Sequence, residues 1–140
     1  MKCQLTITRK PSYLHIIVTG RNSVENVVEY FEEIHRECEA RNCFRILIEE
    51  RLDGPRLGML DVFQIVEDES KNARGVFREI AYVDVNATTD LMKFAEDVAV
   101  NRSLPLAVFL TVAQAEKWMM NENQEGTKPA DSVQEEKTPE

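Results

Sequence analysis

Short runs of aliphatic and β-branched residues alternate along this chain with longer stretches whose apolar residues recur every three to four positions. No other feature constrains the fold as strongly. Strands alternating with amphipathic helices imply parallel pairing through right-handed crossovers, with helices packed on the sheet. The alternation begins after one exception. Residues 4–8 place Leu5 and Ile7 on one side and Gln4, Thr6 and Thr8 on the other, which is strand periodicity. Arg9-Lys10-Pro11-Ser12 is turn chemistry, with proline presetting φ. Residues 13–19 then repeat the strand pattern with Leu14, Ile16 and Val18 on one face, so the first two strands should form an antiparallel hairpin.

From Ser23, a good N-cap, Val24, Val27, Val28, Phe31, Ile34 and Cys38 recur at helical spacing. Residues 44–50 form a third strand and residues 51–58 a loop around Gly54-Pro55. A second helix opens at Met59, with Leu60, Val62, Phe63 and Val66 expected inward and Gly75 as its stop. Residues 80–85 are a fourth strand, and Asn86 leads through Thr88 into a third helix striped by Leu91, Phe94, Ala95 and Val98. A fifth strand covers 104–110. Thr111-Val112-Ala113-Gln114 then fits a capping box for a short last helix whose inner face is Val112, Ala115, Trp118 and Met119. The expected order is ββαβαβαβα: a single-layered α/β domain over residues 1–120, with a mixed five-stranded sheet, an antiparallel first strand and four helices.

Residues 121–140 differ in kind. They contain no aromatic residue, one isolated Val133, and much Glu, Gln, Pro, Lys and Thr. Such a segment cannot bury enough apolar surface to offset its ordering entropy, and it is expected to be a disordered acidic tail. Its six acids and two lysines leave it at −4, so residues 1–120 carry the other half of the chain's net charge of −8. An acidic domain with no basic cluster repels phosphate backbones, which argues against nucleic acid as a partner and against an anionic membrane surface. The amino-terminal residues Met1-Lys2-Cys3-Gln4 open no apolar leader, and the longest apolar runs fall far short of the ~20 residues of a membrane helix. The expectation is a cytoplasmic protein that is not an integral membrane protein.

The element order resembles the STAS-like fold of the anti-sigma-factor antagonists and of the sulfate-transporter C-terminal domain. The residues that carry the resemblance are Phe44-Arg45-Ile46-Leu47-Ile48-Glu49 and Arg78-Glu79-Ile80-Ala81-Tyr82-Val83-Asp84. The closing strand Leu106-Ala107-Val108-Phe109 and the short helix Ala113-Gln114-Ala115-Glu116-Lys117-Trp118-Met119 carry it furthest, being similar to the ending of small bacterial antagonist-like proteins. The resemblance implies a regulatory, protein-binding role. It also implies an Asp-Ser pair where the third strand meets the second helix, the serine being phosphorylated by a kinase. Here that stretch reads Glu50-Arg51-Leu52-Asp53-Gly54-Pro55-Arg56-Leu57-Gly58-Met59, and no Ser, Thr or Tyr occurs between Phe44 and Glu69. A phosphate switch needs a hydroxyl to modify, so it cannot operate at that site. The nearest hydroxyls, Ser23, Ser70, Thr88 and Thr89, lie in other loops or far down the helix.

Ligands of open α/β sheets bind outside the carboxyl ends of the strands. Arg21, Arg51, Asp53 and Arg56 fall on that rim, as do Thr88 and Thr89, and together they form the candidate ligand site. Glu49, Glu50, Asp84 and Asp90 are further carboxylates near it. The plainer account is a solvated loop with helix caps, Thr88 or Thr89 capping the third helix. His35, Cys38 and Cys43 invite a metal, but zinc needs three or four converging ligands. Cys38 continues an apolar helical stripe and reads better as a small core hydrophobe. Gly54-Pro55-Arg56-Leu57-Gly58 lacks the Lys-Ser/Thr of a phosphate loop. No cofactor, metal or catalytic constellation is expected. The expected function is a non-catalytic regulatory or protein-interaction module, with an unknown protein or a second copy of the chain as partner. The alternative is a carrier or sensor of a lipid-like or nucleotide ligand, enclosed by Met59, Phe63, Met92 and Phe94.

Overall fold

Strand β1 (Cys3–Arg9) and strand β2 (Leu14–Arg21) open the computed structural model, which describes residues 3–73 and 75–120. They pair antiparallel with Leu5 opposite Val18 and Ile7 opposite Ile16, and the Lys10 N–H donates to the Tyr13 carbonyl (2.8 Å) to close the turn. Helix α1 (Val24–Arg41) follows. The Ser23 hydroxyl accepts from the Asn26 N–H (3.1 Å), and Asn42 ends the helix in the left-handed region (φ 51°). Ser23→Ala removes that capping bond and should cost about 1 kcal/mol in urea denaturation; an unchanged midpoint would mean water caps the helix as well.

Strand β3 (Arg45–Asp53), helix α2 (Met59–Asn72), strand β4 (Glu79–Asp84), helix α3 (Thr89–Asn101), strand β5 (Leu106–Val108) and helix α4 (Val112–Met120) complete the order. The sheet runs β1-β2-β3-β4-β5, and every pairing after the first is parallel. This is the mixed five-stranded α/β architecture with four helices expected from the hydrophobic pattern. The segment 121–140, expected to be a disordered tail, lies outside the described residues.

Three details differ from expectation. First, the sheet is covered on both faces. Leu14, Ile16, Val18, Ile46, Ile48, Leu52, Ile80, Leu106 and Val108 join α1, α2 and α3 in one core. Leu47, Ala81, Val83, Ala107 and Phe109 point the other way and meet Ala115, Trp118 and Met119 of α4 in a second core. β3 and β4 are apolar at both parities because they are buried on both sides, as parallel strands usually are. α4 is only nine residues long, so it covers β3 and β4 and leaves Gln4, Thr6 and Thr8 of β1 exposed. Second, β3 runs three residues further than its apolar stretch. Arg51, Leu52 and Asp53 pair with Thr19, Gly20 and Arg21, and the Asn22 N–H donates to the Asp53 carbonyl (2.7 Å). Third, α2 presents Val62, Phe63 and Val66 to the core as expected, but not Leu60. Ile65, Val66 and Ser70 are buried, whereas Leu60 is 81% exposed and Met59 52%.

Arg45 ties the two faces together at the amino-terminal end of the sheet. Its guanidinium pairs with Glu79 (2.7 Å) and donates to the carbonyls of Ser12 and Met119 (2.8 Å each). The last turn of α4 is thereby held to β3, β4 and the turn before β2 by one side chain.

Candidate functional site

At position 50 the helix-facing side of β3 changes from Ile46 and Ile48 to a carboxyl group. The register places Glu50 between Val18 on β2 and Asp84 on β4, beneath α1. Tyr30 from α1 and Tyr82 from β4 both donate to Glu50 Oε2, Tyr82 at 2.7 Å, and the two phenol oxygens are 3.3 Å apart. Burial pushes the Glu50 carboxyl up to about 8, the neighbouring Asp84 raises it further, and the two phenols act the other way. At neutral pH Glu50 therefore holds its proton and can share it with Asp84. Burial, and then the Glu50 carboxyl, also push both phenols well above their ordinary value, which keeps them hydrogen-bond donors.

Glu50, Tyr82 and Asp84 form one wall of a cavity of about 70 Å³ at the carboxyl ends of the strands. The floor and sides are apolar: Val62, Ile65 and Val66 from α2, then Leu91, Met92 and Ala95 from α3. Arg56 stands at the polar end. Its Nη2 donates to the carbonyls of Leu52 (2.8 Å) and Gly54 (3.0 Å), which fixes the side chain over the loop. Its Nη1 is buried and makes no hydrogen bond; the nearest carboxylate oxygen, Asp84 Oδ1, is 3.7 Å away. The loop itself is braced. Asn22 Nδ2 donates to the Pro55 carbonyl (2.9 Å), Asn86 Nδ2 to the Leu52 carbonyl (3.0 Å), and Gly54 adopts φ 100°, which a side chain would strain.

Of the six residues expected to form a site, Arg56 alone lines this cavity. Arg21 packs beside Gly54, outside the lining, and its carbonyl accepts from Asn26 Nδ2 (2.8 Å). Asp53 is exposed and contributes its carbonyl to the loop. Arg51 projects to the opposite face, where it pairs with Glu49. Thr88 caps α3 by accepting from the Leu91 N–H (3.2 Å), and Thr89 is the first residue of that helix. Sequence reasoning placed Glu50 and Asp84 near the rim without selecting them, and missed Tyr30 and Tyr82. The available signal was the parity of Glu50: a charge at a strand position whose neighbours two residues away, Ile48 and Leu52, are core.

On the other face His15 Nε2 lies 2.8 Å from Glu49 Oε1, with Glu116 of α4 4.0 Å from its Nδ1. Cys38 is fully buried and its thiol is pushed up to about 12 by burial, so it stays protonated and is no thiolate nucleophile. Among the described residues no three His, Cys, Asp or Glu side chains converge as metal ligands, and no helix is long and apolar enough to cross a membrane. Ser70 is buried and donates to the Val66 carbonyl (2.7 Å). No protein-family model and no curated protein matches the chain.

Proposed function

We propose that this chain is a non-catalytic regulatory or protein-interaction module of the STAS-like type, working in the cytoplasm without a phosphate switch in its β3–α2 loop. The observation that carries this reading is Leu60. In the first turn of α2, immediately after the loop that bears the phosphorylated serine in the resembling antagonists, the chain exposes 81% of a leucine next to a half-exposed methionine, Met59. Val85, also exposed, opens the turn after β4. Apolar side chains exposed at a helix start and in the turn after a strand form a docking point. With no hydroxyl in that loop, docking there is constitutive rather than phosphate-gated.

The strand order adds support. Among the described residues each crossover steps to the adjacent strand, so the order does not reverse as it does at the switch point where doubly wound folds hold cofactors. The carrier reading rests on the cavity beneath α2 and α3. Its 70 Å³ is small beside the ~300 Å³ at which pockets for drug-sized ligands begin, and a nucleotide does not fit within it.

The test places a photo-crosslinking residue at position 60 in the native host, identifies the captured protein, and measures its affinity for the purified chain. Leu60→Asp should weaken that complex by about 30-fold, the loss of one hot-spot residue, and leave the melting temperature within about 2 °C, since the side chain is outside the core. Equal affinity for Leu60→Asp, or no specific crosslink from position 60, would remove this reading.

A further inference from the structure

The cavity beneath α2 and α3 has one polar end and an otherwise apolar lining, and the polar end is incomplete in a specific way. Arg56 Nη1 is a buried donor without an acceptor, and Asp84 Oδ1 is an acceptor 3.7 Å from it. Arg56 cannot swing to satisfy the donor elsewhere while Nη2 remains bonded to the Leu52 and Gly54 carbonyls. Asp84 is held likewise, since its Oδ1 also accepts from the Asn86 N–H (3.0 Å). An oxygen that both accepts and donates completes the pair. Sides of about 2.9 Å to the nitrogen and about 2.7 Å to the carboxylate close a triangle on a 3.7 Å base. Hydroxyl groups have that double capacity, whereas carboxylates and ammonium groups have only one half of it.

We propose that this cavity is a binding site for a small neutral molecule that carries a hydroxyl group on a short aliphatic body, the hydroxyl lying between Arg56 Nη1 and Asp84 Oδ1 and the body against Val62, Val66, Leu91, Met92 and Ala95. This goes beyond the docking role assigned to Leu60 and does not depend on it. Charge sets the class. Arg56 and Asp84 offset one another, so an anion gains the guanidinium and meets the Asp84 carboxylate, and a cation meets the reverse. Burial holds Glu50 in its neutral form at pH 7, so the third polar group on the wall adds no charge. Volume sets the size. A cavity of about 150 Å³ holds a six-carbon ring, so one of 70 Å³ takes roughly three or four heavy atoms, with anything longer reaching out of the mouth.

The experiment is a titration of the full chain with 1-propanol at pH 7, followed by backbone amide chemical shifts. Three probes of similar size accompany it: propionate, propylammonium and 1-chloropropane. A ligand so small should bind with a dissociation constant of about 1–50 mM. The expected result is saturable shifts at Tyr82, Asp84, Leu91, Met92 and Ala95 with 1-propanol, and binding at least ~5-fold weaker for each of the other three. Arg56→Met, which keeps the stem and removes the donor, should weaken 1-propanol by the same factor while its dispersed spectrum reports an intact fold. Should that variant unfold, the 1-chloropropane comparison on the unaltered chain decides the role of the hydroxyl alone. Propionate or propylammonium binding as tightly as 1-propanol overturns the proposal. So does equal binding of 1-chloropropane, or the absence of saturable shifts at these five residues.

Discussion

Trp118→Ala should destabilise the folded chain by about 3–5 kcal/mol, read as a lowered midpoint in urea unfolding. The indole is only 4% exposed and lies over the second core, its ring 5.4 Å from that of Phe109. α4 is nine residues long and contributes Ala115, Trp118 and Met119 to that core, so the indole is the largest apolar surface holding the helix on the sheet. An isolated helix of that length is not stable in water and depends on its packing. Truncation at 118 therefore removes transfer free energy, leaves a void, and loosens the helix that covers Leu47, Ala81 and Val83. A loss under about 1 kcal/mol would mean that α4 is held mainly by Arg45 and that the second core collapses readily around the missing ring.

Stability should also fall as pH rises from about 5 to 8, and Glu50→Gln should remove most of that fall. The Glu50 carboxyl moves from 4.5 to about 8 on folding. Between those values the unfolded chain has released the proton and the folded chain still holds it, so the unfolded state binds fewer protons and stability declines with rising pH. The decline ends above about 8, where the group is ionised in both states. Its size is on the order of 3–5 kcal/mol if the whole shift is expressed. Glu69, pushed up to about 7 by burial and by Glu32, slopes the same way over a narrower window. Glutamine keeps an oxygen to accept from Tyr30 and Tyr82 and offers an N–H toward Asp84, with no charge to bury. The variant should match the parent near pH 5 and exceed it above pH 8, with a shallow slope left by Glu69. Parallel stability curves for the two proteins at pH 5.5 and 8.5 would mean that Glu50 ionises in the folded state as it does in the unfolded one.

The fold was legible in the sequence because period-2 and period-3.6 patterns are local. Leu5 and Ile7 opposite Ile16 and Val18 mark the hairpin, and Ser23 with the stripe from Val27 to Cys38 marks α1. What was not legible depends on neighbours distant in sequence. The extension of β3 through Arg51, Leu52 and Asp53 comes from pairing with Thr19, Gly20 and Arg21, and their own composition reads as loop. The second core rests on Leu47, Ala81 and Ala107, which belong to apolar runs with no visible alternation. The candidate site was legible only at Arg56. Glu50, Tyr30, Tyr82 and Asp84 come from β3, α1 and β4, and only the sheet register together with the packing of α1 on the sheet brings them within hydrogen-bonding reach.

The neighbour-by-neighbour strand order has a consequence for synthesis. Because sheet order equals chain order, each strand leaving the ribosome finds its partner already made: β2 beside β1, β3 beside β2, and so on to β5. The chain can fold vectorially, with no strand waiting for a later one to fill a gap. The cost falls on the opposite face. Leu47, Ala81, Val83, Ala107 and Phe109 emerge one after another with nothing above them, and their cover, α4, is the last element in the order. A nascent chain stalled anywhere between β3 and Trp118 presents a growing greasy surface to its surroundings, so the interval in which this protein is most prone to stick to its siblings closes only when α4 is released.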